Sequence, residues 1–279
     1  MRFRMLIPLA ALALVASCGD EDRATNPPPP QDQSTIDDTP RENREAEVAA
    51  LWMAGELFAP GKLYEELRDD LSAIRDEYLD SIPETAIQFF PPWVVTQLII
   101  LPDNATWDKI RGGEPNPVDS LNVIFHATGL DTLRFSWLWG LISYEGRLHP
   151  QRLAEIYAAQ PGVIVAEPNG YGGDWDNMYP WKHDGHMTYL FRSGYGDCPA
   201  GCIFSDFWYF RRVDGHTEYV GAYSTENDPM APDWWDEAKT AYDRFWEGGA
   251  SLPREAEAFR RDVRTDARDS SPAPQSGAR

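Results

Sequence analysis

The sequence predicts an α+β body in which a β-α-β-β-α-β unit is followed by an antiparallel β-meander with a short-loop disulfide and a C-terminal helix. Three observations carry that expectation. Stretches whose apolar residues recur at three- and four-residue steps alternate with runs rich in Val, Ile, Tyr, Phe and Trp, the helical and strand signatures. Glycines, prolines and Asp-Gly sit between these stretches, where turns need them. Cys198 and Cys202 stand in a turn with Pro199 and Gly201, beside the densest aromatic run of the chain. With 279 residues and 42% apolar content, the chain can bury a sizeable core as one large domain or two small ones.

The chain begins Met1-Arg2-Phe3-Arg4, continues with an apolar run from Met5 to Val15 and reaches Ala16-Ser17-Cys18. A basic start, a short apolar middle and small residues at the cut mark 1–17 as a secretory signal peptide. The apolar run is too short to span a bilayer. Val15-Ala16-Ser17-Cys18 resembles the lipobox of bacterial lipoproteins. The resemblance implies cleavage before Cys18, lipidation of that cysteine and the membrane as a partner, each buried methylene adding about 0.8 kcal/mol. In Gram-negative bacteria an acid directly after the lipidated cysteine favours inner-membrane retention. Gly19 stands there, so the resemblance leans to the outer membrane. Residues 18–43 are polar and Pro-rich, with Pro27 to Pro30 in a row, and read as a disordered, partly polyproline II tether.

Residues 44–83 read as two helices. Val48, Leu51, Trp52 and Leu57 share one side of the first, over 44–57. Pro60 opens the second, Leu63, Leu67, Leu71, Ile74 and Tyr78 form its apolar face, and Pro83 closes it.

Residues 84–170 hold the β-α-β-β-α-β unit. Trp93 to Leu101 is a nearly continuous apolar run, a buried strand. Asp103-Asn104 caps a helix from Ala105 to Arg111, broken by Gly112-Gly113. Pro117 to Thr128 is a second helical piece around Leu121, Ile124 and Phe125. Asp131 to Trp139 alternates as a strand, Gly140 is the turn, and Leu141 to Gly146 returns. His149-Pro150 starts a helix around Leu153, Ile156 and Tyr157, Pro161-Gly162 stops it, and Val163 to Ala166 is the last strand. That order is the ferredoxin-like split β-α-β pattern. Gly162-Val163-Ile164-Val165-Ala166-Glu167-Pro168-Asn169, with the helix before it, is also similar to the end of the propeptide inhibitor domains of subtilisin-type proteases. The similarity, over about 93–169, implies a ferredoxin-like fold and an inhibitory activity. This chain departs from the family in running on without a protease domain.

Residues 171–250 follow a link with Gly170, Gly172 and Gly173, as a meander plus helix that forms one unit with the previous half or a second one. Strands are expected over 187–195, 205–213 and 217–225, with Asp214-Gly215 as a hairpin turn. Pro232-Asp233 opens a helix with Asp233 as N-cap and Trp234, Ala238, Ala241, Tyr242 and Phe245 on its apolar face. Gly248-Gly249 end it, and 251–279 is a polar tail.

The formal net charge of −20 argues against nucleic acid, which needs a basic footprint, and against electrostatic docking on anionic lipid. Export places Cys198 and Cys202 in an oxidising compartment, with Cys18 consumed by lipid, so a disulfide is the default. Closing so short a loop contributes about 2 kcal/mol. A redox-active pair fits less well, because three residues separate the cysteines where thioredoxin-like motifs have two. His183 and His186, shortly before the cysteines, offer a tetrahedral zinc set as a rival. Asp174-Trp175-Asp176-Asn177 opens like a calcium loop. Continued in register it puts Tyr179 where a Gly is needed and Gly185 where a bidentate Glu is needed. That leaves a non-EF calcium set of Asp174, Asp176 and Glu167, or a hydrogen-bonded Asx turn. Apart from these zinc or calcium alternatives no cofactor is expected.

Nucleophile-elbow, HExxH, Walker A and Rossmann fingerprints do not occur in the sequence. Three readings of function follow. The first is a lipid-anchored envelope protein that binds a protein or glycan, with Trp175, Trp181 and Asp197 as candidate surface. The second is an envelope hydrolase with its site near Asp174, His183, His186 and Asp197. Protease inhibition is a third, carried by the propeptide resemblance alone.

Overall fold

The computed structural model of the chain describes residues 41–133 and 136–250. The expected signal peptide, Cys18, the tether up to residue 40 and the tail from 251 lie outside the described residues. Among the described residues no helix is long and apolar enough to cross a membrane.

Two antiparallel four-stranded sheets organise the fold. The first is built from β1 (Trp93–Pro102), β2 (Ala127–Leu133), β3 (Ser136–Tyr144) and β4 (Val163–Gly170), in the order β2-β3-β1-β4. Every neighbouring pair runs antiparallel. The helices between these strands are α3 (Asn104–Gly112), α4 (Asp119–Ile124) and α5 (Pro150–Ala158). Leu98 and Ile100 of β1 and Ile142 of β3 form one core with Leu121 of α4 and with Leu153 and Tyr157 of α5. Asp103 caps α3 as expected, accepting the Thr106 N–H at 2.7 Å. Gly113 ends it in the left-handed conformation at φ 68.

The middle of this unit differs from the sequence reading. The helical piece stops at Ile124, and His126 turns the chain at φ 52, so β2 begins where helix was expected. Gly140 makes no turn. It lies inside β3, opposite Ile100 and Thr132. A Cβ at Gly140 would stand 3.2 Å from Ile100 Cγ1 and 3.3 Å from Trp107 Cη2. The glycine is there because α3 sets its tryptophan against the strand.

The second sheet is a meander of β5 (Asn177–His183), β6 (His186–Tyr195), β7 (Phe204–Val213) and β8 (His216–Ser224), each paired with the next. β5 is one strand more than expected. Asp184 at φ 47 and Gly185 at φ 83 turn it into β6, just as Asp214 at φ 49 and Gly215 at φ 79 turn β7 into β8. α1 (Arg41–Ala54) and α2 (Gly61–Tyr78) cover one face of this sheet. Asp70 of α2 accepts from Tyr189 at 2.8 Å and from Arg212 at 2.9 Å. α6 (Trp235–Ala250) covers the other face, with Trp235 4.6 Å from Phe207 and Tyr242 5.3 Å from Tyr179 between ring centroids. α6 starts after Asp233, which therefore is not its N-cap, and its span includes Gly248-Gly249.

α1 also carries the first sheet. Trp52 stands 5.7 Å from Trp93 of β1 and 5.0 Å from Phe245 of α6. Arg147 pairs with Glu47 at 2.8 Å, and the His149 N–H reaches Leu57 O at 3.0 Å. His149 sits in this seam, 5.0 Å from the Trp93 ring and buried. Burial holds its imidazole down to about 4; Arg152 pushes the same way and Glu155 opposes. Between the ordinary 6.5 and about 4 the unfolded imidazole is protonated while the folded one is not. Stability therefore falls as the pH drops through that window, by up to about 3 kcal/mol in total. Urea unfolding at pH 7 and pH 4.5 should show a shallower loss for His149→Phe than for the native chain. Equal losses would remove His149 from the account.

Candidate functional site

The cysteine turn lies at one end of the second sheet. Cys198 and Cys202 are joined as a disulfide around a short 3₁₀ turn, Cys198–Ala200, between β6 and β7. Under it runs a polar lock. Thr188, Leu190 and Arg192 alternate onto the α6 side of β6, so Arg192 enters the core and is only 1% exposed. Its guanidinium grips Asp174 with two parallel hydrogen bonds, one of them Nη2 to Oδ2 at 2.7 Å. It also donates to Ser205 Oγ at 2.8 Å and to Trp175 O at 2.9 Å. Asp174 in turn accepts the Cys202 N–H at 3.1 Å and donates its own N–H to Cys198 O at 3.1 Å. Burial works against the Arg192 charge, but the Asp174 carboxylate together with the Tyr179 and Tyr242 phenols outweighs it and holds the group above its ordinary range. Gly194 is required beside this lock. A Cβ there would come within 2.6 Å of Cys202 Sγ and 2.8 Å of Arg192 Nη2.

The expected metal ligands do not come together. His183 and His186 are paired across the Asp184-Gly185 turn, at the opposite end of β6 from the cysteines. Nine residue steps of strand, about 30 Å at 3.4 Å each, separate His186 from Tyr195. The disulfide occupies both sulfurs, so the zinc set fails on distance and on chemistry. Of the calcium set, Asp174 is engaged by Arg192, and Asp176 accepts from the Gly194 N–H at 2.8 Å. Glu167 is buried in β4 of the other sheet, opposite Ile99. Among the described residues no group of three or more His, Cys, Asp or Glu is placed to hold a metal ion. The hydrolase set of Asp174, His183, His186 and Asp197 is spread along the same strand length. Asp197 stands exposed at the start of the 3₁₀ turn.

His183 instead belongs to a cluster that the sequence did not announce. Glu237 of α6 accepts from Tyr209 and, at 3.1 Å, from Arg211, and His183 Nε2 lies 3.6 Å from it. Burial first, and then Glu237, push the Tyr209 phenol up. Trp181 stacks on Tyr209 at 5.4 Å and 17°. Trp181 is therefore half-buried sheet packing beside α6 and does not share a surface with Trp175 and Asp197.

Trp175 does face solvent. It forms a ridge with Phe90 and Tyr171, the ring centroids 4.7, 5.4 and 6.3 Å apart. The three are 44%, 38% and 43% exposed. Each is pinned through its backbone. Asn177 holds Phe90 through N–H and C=O at 2.7 and 2.8 Å, the Tyr171 N–H reaches Pro92 O at 3.0 Å, and Arg192 holds Trp175 O. Gly173, at φ 103, lets the Trp175 ring lie 3.2 Å from where a Cβ would stand. Tyr171 also lines a cleft of about 670 Å³ between the start of α1 and residues 88–96. Arg44, Glu45, Gln88, Trp93 and Thr96 line it too. The disulfide turn thus acts on the surface at one remove, through Asp174 and Arg192 to Trp175.

No family model, no curated protein and no solved structure matches this chain. What fold and surface define is an α+β protein of two antiparallel sheets, with a C-terminal helix and a disulfide-backed aromatic ridge.

Proposed function

We propose that this chain is a lipid-anchored protein of the bacterial cell envelope and a non-enzymatic binding module. The observation that supports binding is the ridge of Phe90, Tyr171 and Trp175: three large rings in mutual contact, open to solvent and fixed from behind. Exposed apolar surface gathered in this way marks interaction sites, whereas scattered exposed rings do not. The dispersal of Asp174, His183, His186 and Asp197 takes away the geometry on which the hydrolase reading rested. The anchor rests on the likeness of Val15-Ala16-Ser17-Cys18 to a lipobox.

The first sheet is read as a ferredoxin-like unit, which the antiparallel order β4-β1-β3-β2 supports. Inhibition of proteases is not carried forward. Pro168 and Gly170 are paired with β1 and lead on to β5, so this segment is not presented as a free tail.

Two substitutions in the full chain test the two halves of the proposal. Trp175→p-benzoylphenylalanine should photo-crosslink to an envelope component. The same residue at Val123, 77% exposed on the helical side of the first sheet, should not. Cys18→Ser should move the chain from the membrane to the soluble fraction. Equal adducts from both positions would overturn the binding reading, and retention of Cys18→Ser in the membrane would overturn the anchor.

A further inference from the structure

We infer that the Cys198–Cys202 bond is a target of thiol–disulfide exchange, and that a dithiol reductant, by opening it, loosens the ridge of Phe90, Tyr171 and Trp175. The exchange and its reach to the ridge come from the turn itself. Its effect on binding rests on the reading above.

A bond that staples a fold closes a long loop, since its worth grows with the loop it closes. This one closes a single turn, its cysteines four positions apart. The hairpin around it is already shut without the sulfurs. Tyr195 pairs with Phe204, the Ile203 N–H reaches Tyr195 O at 3.0 Å, and the Gly201 N–H reaches Cys198 O at 3.2 Å. Reduction therefore leaves β6 and β7 paired. What the bond fixes is the placement of two backbone groups, the Cys198 C=O and the Cys202 N–H. The first accepts the Asp174 N–H and the second donates to Asp174 Oδ2, at 3.1 Å each.

Asp174 passes that constraint on. Its carboxylate fixes Arg192, Arg192 holds Trp175 O, and the Trp175 ring packs 5.4 Å from Phe90. Gly172 and Gly173 lie between Tyr171 and Asp174, so the link has little stiffness of its own. With the bond open the two cysteines are free to separate, and both ties to Asp174 weaken together.

The bond is also within reach of a partner. Cys198 and Cys202 are each partly exposed, and Gly196, Asp197, Ala200, Gly201 and Ile203 around them are open to solvent. Close cysteine spacing of the thioredoxin type suits a redox catalyst, whereas a target needs access. One thiolate of the dithiol attacks a sulfur of the bond and forms a mixed disulfide, while the other cysteine leaves as a thiolate and takes up a proton. The second thiol of the reductant, losing its proton, attacks the mixed disulfide and releases the first cysteine, which is protonated in turn. The bond gains two electrons and two protons, and the dithiol becomes a disulfide.

The test treats the full chain with dithiothreitol, without denaturant, and follows hydrogen exchange by mass spectrometry. The bond should open in the folded chain. Exchange over 171–177 and 197–204 should then rise by about tenfold, while the interiors of β6 and β7 keep their protection. Cys198→Ser combined with Cys202→Ser should show the same fast exchange, the same protected strands and no response to dithiothreitol. Crosslinking from Trp175→p-benzoylphenylalanine should fall severalfold on reduction.

A bond that dithiothreitol opens only after unfolding would overturn the exchange. Unchanged hydrogen exchange over 171–177 in the reduced chain would overturn the reach to the ridge. Equal crosslinks in both states would overturn the control of binding. Faster exchange over 171–177 on reduction, with no crosslink in either state, would leave the switch standing and take down the binding reading.

Discussion

Arg192→Met should lower the stability of the folded body by about 3–5 kcal/mol, the cost of leaving one partner of a buried ion pair without its counter-charge. For a body of this size that is a fall of roughly 10 °C or more in the thermal midpoint. The reason lies in what Asp174 would face. It keeps the Cys202 N–H but loses both guanidinium hydrogen bonds at a place where its side chain is only 12% exposed. Ser205 Oγ and Trp175 O lose their donor as well. Adding Asp174→Leu to Arg192→Met should recover a good part of the loss, because two apolar side chains need no counter-charge. Calorimetry of the single and double variants separates the pair from mere packing. A single substitution that costs less than about 1 kcal/mol would mean that the pair is solvated after all. Because Arg192 also holds Trp175 O, the single variant should loosen the ridge even where the sheet survives.

How this lock escapes a reading of the sequence is instructive. In Thr188-Tyr189-Leu190-Phe191-Arg192 the alternation places Arg192 on the same side as Leu190, facing inward. A charge at an inward strand position is the signal of a buried pair, since charged residues enter cores almost only when paired. Its partner, though, lies in the preceding Gly-rich link, and no local pattern joins the two. The second hairpin was more accessible. Asp184-Gly185 carries the same turn chemistry as Asp214-Gly215, but Pro180 and the charged Lys182 mask the alternation of β5. Gly140 misled for the opposite reason, since a glycine in a strand marks a close neighbour as often as a turn. The helices fared best. Their period is local, and the faces of α2 and α5 bury Leu67, Leu71, Ile74, Leu153 and Tyr157 as the spacing required. The ridge was half visible. Trp175 stood out, but Phe90 and Tyr171 join it only through long-range pairing, Phe90 through Asn177 and Tyr171 through Pro92.

Glu45→Ala should be comparably damaging, at about 3 kcal/mol or more, because one buried carboxylate serves three segments at once. Its oxygens accept from Arg75 of α2 at 2.8 and 3.0 Å and from the Phe89 N–H at 2.8 Å. Its side chain is 2% exposed and that of Arg75 13%. Removing it leaves a mostly buried guanidinium that still donates to Thr85 O and Ile87 O but has no counter-charge. It also frees the Phe89 N–H in a buried place. Glu45→Gln keeps the shape and one acceptor oxygen while losing the charge, so its cost should fall between native and alanine. That ordering, read by urea unfolding, distinguishes the charge from the cavity. If Gln and Ala are equally destabilising, the charge is what matters; if Gln is silent, the packing is.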